Sequence, residues 1–148
     1  MPQERRVESH NLINELVNTR NEMLTIFSEL IEHRPFEQMD DDLPGLVERF
    51  CQALIDYTAD AHFRLYRFID ERSERRRSIV NVANQVYPKI LDSTQIILDF
   101  NDKYETTRSK DELDALSQDL SQLGENLAER IELEDRVIDA FKERRGQG

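Results

Sequence analysis

Apolar residues recur at intervals of three and four along nearly the whole chain, the spacing that places them on one face of an α-helix. Four stretches follow this pattern. The first, about residues 4–32, carries Leu12, Leu16, Met23, Phe27 and Leu30 along one stripe, and it stops ahead of Pro35 because a residue preceding proline resists helical geometry. The second, about 43–71, aligns Val47, Phe50, Leu54, Tyr57 and Ala61, with Phe68 and Ile69 near its end. Asp40, Asp41 and Asp42 precede Leu43 and Pro44 at its start: carboxylates meet the free amides of a first turn, and proline is tolerated there. The third, about 77–104, carries Ile79, Val82, Val86, Ile90, Ile97 and Phe100, with Pro88 in its middle removing one backbone donor and predicting a kink or split. The fourth, about 110–143, reads Leu113, Leu116, Leu120, Leu123, Leu127, then Val137 and Phe141. Gly124 within it costs about 1 kcal/mol relative to alanine unless a neighbouring helix packs close there.

Four amphipathic helices on short linkers bury their stripes only against one another, so the pattern predicts an all-α, antiparallel four-helix bundle forming one domain over residues 1–148. Composition agrees. With four glycines and four prolines the chain lacks the turn residues of a many-stranded sheet, and Leu, Ile, Val and Phe supply 41 of 148 residues, enough for a core. The formal net charge of −11 counts against broad contact with nucleic-acid phosphates. Residues 1–8 lack the apolar stretch of a secretory signal, and no apolar run reaches membrane-spanning length. A cytoplasmic location without membrane association is therefore expected.

The stripes are broken by polar residues at informative places. Continuing the fourth stripe at the same spacing reaches Arg130 and Glu134, four apart on one helix face. Either the stripe drifts to Ile131, Leu133 and Ile138 and leaves both at the solvent boundary, or both are buried and need partners. Asp56, Tyr57, His62 and Tyr66 on the second helix, with Thr94 and Asn101 on the third, offer such partners for an internal polar network.

Catalytic and cofactor chemistry finds little support. Cys51 is the sole cysteine, which excludes an internal disulfide and a multi-cysteine zinc site, and beside Phe50 it reads as core filling. None of His10, His33 and His62 has a glutamate three positions earlier, the pairing that di-iron bundles use. Gly45 and Gly124 are isolated, so there is no phosphate loop. No cofactor, metal or enzymatic activity is expected. The cluster Arg72, Arg75, Arg76 and Arg77, interleaved with Glu71 and Glu74, reads as a solvated linker, with docking of an acidic partner as the other reading.

Three ordered blocks nevertheless point to one family. The segment from Phe50 to Tyr66 contains Phe50, Cys51, Leu54, Asp56, Tyr57, Ala61, His62, Phe63 and Tyr66; the second block has Tyr87, Pro88, Thr94, Gln95, Phe100, Asn101 and Asp102; the third has Leu123, Gly124, Glu129, Arg130, Leu133, Glu134 and Asp135. Together they resemble the Rsd/AlgQ family of bacterial anti-sigma factors, from about Asn11 to about Phe141. The first helix departs from that pattern, with Leu16 where relatives have tryptophan and Asn14 where aspartate is usual, whereas Arg20 agrees.

The resemblance implies binding to the C-terminal promoter-recognition region (region 4) of the primary sigma factor of RNA polymerase. Occupying that module would block its DNA face and its contacts with core polymerase. An acidic protein suits a basic DNA-reading helix-turn-helix, although charge alone does not identify it. On this reading Asp56, Tyr57, Phe63, Tyr66, Phe50 and Leu54 are the candidate partner-binding residues, the aromatic ones serving as anchors or as core. His62, Thr94, Asn101, Arg130 and Glu134 are the candidates for the interior network. The competing function is an adaptor for a metabolic or stress-signalling protein, as an additional activity or in place of sigma binding.

Overall fold

A computed structural model of the chain describes residues 2–34, 43–66, 77–105 and 115–146, and side chains within 13–34, 43–63, 81–105 and 115–140. Among the described residues four long helices make up this all-α fold: α1 (Pro2–Glu32), α2 (Leu43–Asp60), α3 (Arg77–Tyr104) and α4 (Leu116–Gly146). No strand occurs among the described residues. The second helix does not stay regular to its end. Ala61–Tyr66 forms a wider π-helical turn that packs on α1, and residues 67–71 of the expected second helix lie outside the described residues, as do Asp40, Asp41 and Asp42 and the arginines at 72, 75 and 76.

Local chemistry explains the ends. At the C-terminus of α1 the His33 and Arg34 amides reach back three residues, to the carbonyls of Leu30 and Ile31 at 3.1 Å, a tightened closing turn ahead of Pro35. Leu43 and Pro44 open α2, where a missing backbone donor has no consequence. Asp119 lies in the first turn of α4, where the helix dipole favours its charge. The expected split at Pro88 does not occur: α3 is continuous across it. Pro88 and Asn84, whose carbonyl loses its helical donor, are both exposed, so water can take that bond.

The stripes meet in one core. Leu16, Met23 and Leu30 from α1, Val47, Phe50, Leu54 and Tyr57 from α2, Val86, Ile90 and Ile97 from α3, and Leu116, Leu120, Leu123 and Leu127 from α4 are all buried. At one end the aromatic rings run in series: Phe27 meets Phe50 at 5.6 Å between centroids, Phe50 meets Phe100 edge-on at 5.8 Å, and Phe100 meets Tyr104 at 4.7 Å. Tyr104 then donates to the Asp119 carboxylate and ties α3 to α4. Gly124 belongs to the same end. A Cβ there would stand 3.1 Å from Cζ of Phe27, so the glycine lets α1 and α4 approach closely.

Candidate functional site

Toward the other end the core is polar, and its centre is Arg130. The side chain is almost completely buried, as is that of Glu134, so the fourth stripe does continue through both positions; Leu133 and Ile138 are buried as well. A buried guanidinium needs all its donors placed. Nε of Arg130 donates to the Tyr57 hydroxyl at 3.0 Å and to Oε2 of Glu134 at 3.2 Å. One terminal nitrogen donates to Oγ1 of Thr94 at 2.7 Å, to Oγ of Ser93 at 2.9 Å and to the Ile90 carbonyl at 3.3 Å. Tyr57 in turn donates to Oε2 of Glu134 at 2.7 Å. Oε1 of Glu134 makes no hydrogen bond but lies 3.5 Å from a terminal nitrogen of Arg20, which itself donates to Asp135 at 2.9 Å. Residues of all four helices thus meet in one cluster.

Burial dominates its electrostatics. It raises the Glu134 carboxyl against the opposing charge of Arg130, the Tyr57 hydrogen bond and Arg20. Burial also holds the Tyr57 phenol well above its ordinary range, with the Glu134 charge acting in the same direction.

Above Arg130, between α2 and α3, the surface opens into a groove of about 280 Å³. Its walls include Ile55, His62 and Phe63 from the second helix and its π-helical turn, and Tyr87, Leu91 and Leu98 from α3; Thr94 and Arg130 form its floor. Phe63 is 56% exposed, Leu91 50% and Leu98 39%, an unusual concentration of large apolar side chains facing water. The His62 ring packs edge-on against Phe63 at 5.0 Å. Past Ile55 the same seam becomes polar, in a second hollow lined by Glu48, Cys51, Gln52, Asn101 and Glu105.

The candidate residues therefore separate by depth. Asp56 is exposed and accepts a hydrogen bond from Gln52 at 3.0 Å; Phe63 is exposed on the groove wall. Phe50, Leu54 and Tyr57 are fully buried, which corrects their assignment to a partner-binding surface: they lie on the inward stripe of α2 and offer a partner nothing to touch. The side chain of Tyr66 lies outside the described residues. Of the interior candidates, Thr94, Arg130 and Glu134 meet in the cluster. His62 and Asn101 do not: His62 turns outward, and Asn101 donates to Glu105 one turn along its own helix, at 2.9 Å.

Three cluster members were absent from the expected network, and two carry a sequence signal. Ser93 completes the stripe Val86, Ile90, Ile97, Phe100, and Arg20 fills the gap between Leu16 and Met23. Both are polar residues at stripe positions, the signal that identified Arg130 and Glu134. Asp135 lies off the stripe and has no such signal.

Among the described residues no group of three or more histidines, cysteines, aspartates and glutamates is placed to hold a metal ion. Cys51 is buried, and desolvation with the nearby charges of Glu105 and Glu48 pushes its thiol up to about 12. Among the described residues, no helix is long and apolar enough to cross a membrane.

The family model described as Regulator of RNA polymerase sigma(70) subunit, Rsd/AlgQ, matches residues 1–142. The chain belongs to the Rsd/AlgQ family. Proteins named Regulator of sigma D are similar to it along most of their length. That of Enterobacter sp. (strain 638) is 31% identical over 132 residues, covering 88% of this chain and 79% of the relative. That of Yersinia enterocolitica is 32% identical over 133 residues, covering 88% and 80%, and that of Salmonella paratyphi B is 31% identical over 132 residues, covering 88% and 81%. No solved structure gives a significant match. The Rsd/AlgQ blocks in this chain supply both layers of the site: Tyr57, Thr94, Arg130 and Glu134 inside, His62, Phe63 and Tyr87 at the groove. Membership makes this chain one of a family of sigma-factor regulators.

Proposed function

We propose that this protein is a non-enzymatic, cytoplasmic anti-sigma factor that binds region 4 of the primary sigma factor and blocks its use by RNA polymerase. The observation that carries the reading is the exposed apolar groove walled by Phe63 and Leu91, whose lining also includes the block residues His62, Tyr87 and Thr94. Among the described side chains of α2, α3 and the residue that follows α3, exposed acids outnumber exposed cations: Glu48, Asp56, Asp92, Asp99, Asp102 and Glu105 against Arg49, Lys89 and Lys103. A basic DNA-reading helix with apolar packing residues complements such a surface, charge steering the approach and apolar contact holding the complex. The name Regulator of sigma D borne by the similar proteins supports a sigma factor as the partner.

The reading includes an antiparallel single-domain bundle. It is supported by the order of residues along the seam, where Glu48 and Gln52 share one hollow with Asn101 and Glu105, and His62 and Phe63 share the next with Tyr87 and Leu91. Pro88 bends α3 beside the groove wall, on the ground of its missing donor.

The test is titration of the isolated region 4 against the full chain at low and high salt, with competition by a duplex carrying the −35 element. Binding that weakens with salt and is mutually exclusive with the duplex is expected. Absence of association at low salt overturns the reading.

A further inference from the structure

We infer that Arg130, almost completely buried at the floor of the α2–α3 groove, is its positioning residue: it sets the spacing and register of the two walls. This rests on the reading of the groove as the sigma-binding surface. Arg130 touches both walls from beneath, and from opposite sides of one guanidinium. Nε binds Tyr57 of α2, while a terminal nitrogen binds Thr94, Ser93 and the Ile90 carbonyl of α3. Ser93 and Thr94 each donate a hydroxyl hydrogen to the Ile90 carbonyl, at 2.7 Å and 2.9 Å, so their lone pairs are left to face Arg130. The acceptors are thereby oriented before the guanidinium is considered, and the planar fork fixes how far apart Tyr57 and Thr94 stand.

The consequence reaches the surface through helix geometry. Leu91 and Leu98 lie three positions before and four after Thr94, on the same face of α3, so anchoring Thr94 anchors both exposed leucines. Tyr57, held by Arg130 and Glu134, fixes the inward face of α2 immediately before the π-helical turn that carries His62 and Phe63. A groove that must accept apolar side chains loses contact quickly when its walls shift. Lysine cannot reproduce this arrangement, because one ammonium cannot serve both walls in the same fork.

The experiment is surface-immobilised region 4 with the full-length chain in solution, measured well below each variant's unfolding midpoint. Arg130→Lys, Ser93→Ala, Phe63→Ala and the α1 core variant Met23→Ala are compared with wild type. Ser93 does not line the groove, so its variant removes an Arg130 acceptor without changing the contact surface, and it carries the test should Arg130→Lys not fold. A misplaced wall accelerates dissociation, whereas a partly unfolded population lowers the active concentration and leaves the dissociation rate alone. Arg130→Lys is expected to raise the dissociation rate by ~10-fold and Ser93→Ala by several-fold, with Met23→Ala at the wild-type rate. Wild-type dissociation from both Arg130→Lys and Ser93→Ala overturns the inference while leaving the groove reading intact, as does an equal acceleration by Met23→Ala. Unchanged dissociation of Phe63→Ala, or no binding by the wild type, overturns both.

Discussion

The Tyr57 hydroxyl stands 2.7 Å from Oε2 of Glu134, a residue 77 positions away, and receives a hydrogen bond from Arg130 at 3.0 Å. One phenol therefore acts as donor and acceptor inside the core, and it links α2 to a helix at the other end of the chain. Its ring also lies 5.4 Å from the Arg130 guanidinium carbon, so the same side chain offers the cation a π face.

Removing that hydroxyl tests the cluster directly. Tyr57→Phe keeps the ring and deprives both Arg130 and Glu134 of a partner in a buried site. Loss of about 1–3 kcal/mol of unfolding free energy is expected, with helix content retained, read by urea denaturation followed by circular dichroism. Unfolding at the wild-type midpoint would mean the two charged groups need no third member.

A second polar contact sets a pH dependence. Burial alone would raise the Asp119 carboxyl, but hydrogen bonds from Lys103 and Tyr104 and the Lys103 charge outweigh it and hold the group below its ordinary range. A carboxyl lowered on folding contributes stability above its unfolded pKa, and that contribution is lost as pH falls through the folded value. Wild type should therefore exceed Asp119→Asn in stability at pH 7, and the gap should close in acid below about pH 4. Midpoints collected across that range decide it; a gap independent of pH would contradict the assignment.

Cys51 gives a chemical reading of the intact core. With its thiol pushed up to about 12 and the side chain buried, the native protein should resist a thiol reagent at pH 8 and react fully in denaturant. The labelling rate then reports opening of the α2 core. Rapid stoichiometric labelling of the native chain would place Cys51 at the surface.

Depth within α2 should separate binding from stability. Asp56→Ala and Phe63→Ala are surface changes, expected within about 0.5 kcal/mol of wild-type stability. Phe63→Ala should nevertheless weaken region 4 binding by about 1–3 kcal/mol, and Asp56→Ala by about 1 kcal/mol. Leu54→Ala should do the reverse, costing about 2–5 kcal/mol of stability and little affinity in the folded population. Calorimetry for both quantities settles whether the helix divides in this way.

The spacing of apolar residues was enough to determine four helices and most of the core, because a stripe at three and four leaves a helix only one way to bury its face. It also exposed Arg130 and Glu134 as polar residues at stripe positions, and the same test applied to Ser93 and Arg20 would have found two more of the cluster. The family blocks were legible in residue order. Depth was not. Phe50, Leu54, Asp56, Tyr57 and Phe63 stand within fourteen positions of one another in a shared block, yet three are buried and two exposed. Which face a residue takes depends on where α1, α3 and α4 pack, and on the π-helical turn that alters the helical phase after Asp60. Leu91 and Leu98 show the same limit: each stands one position past a buried isoleucine, Ile90 and Ile97, and the packing of α2 against α3 leaves them exposed on the groove wall.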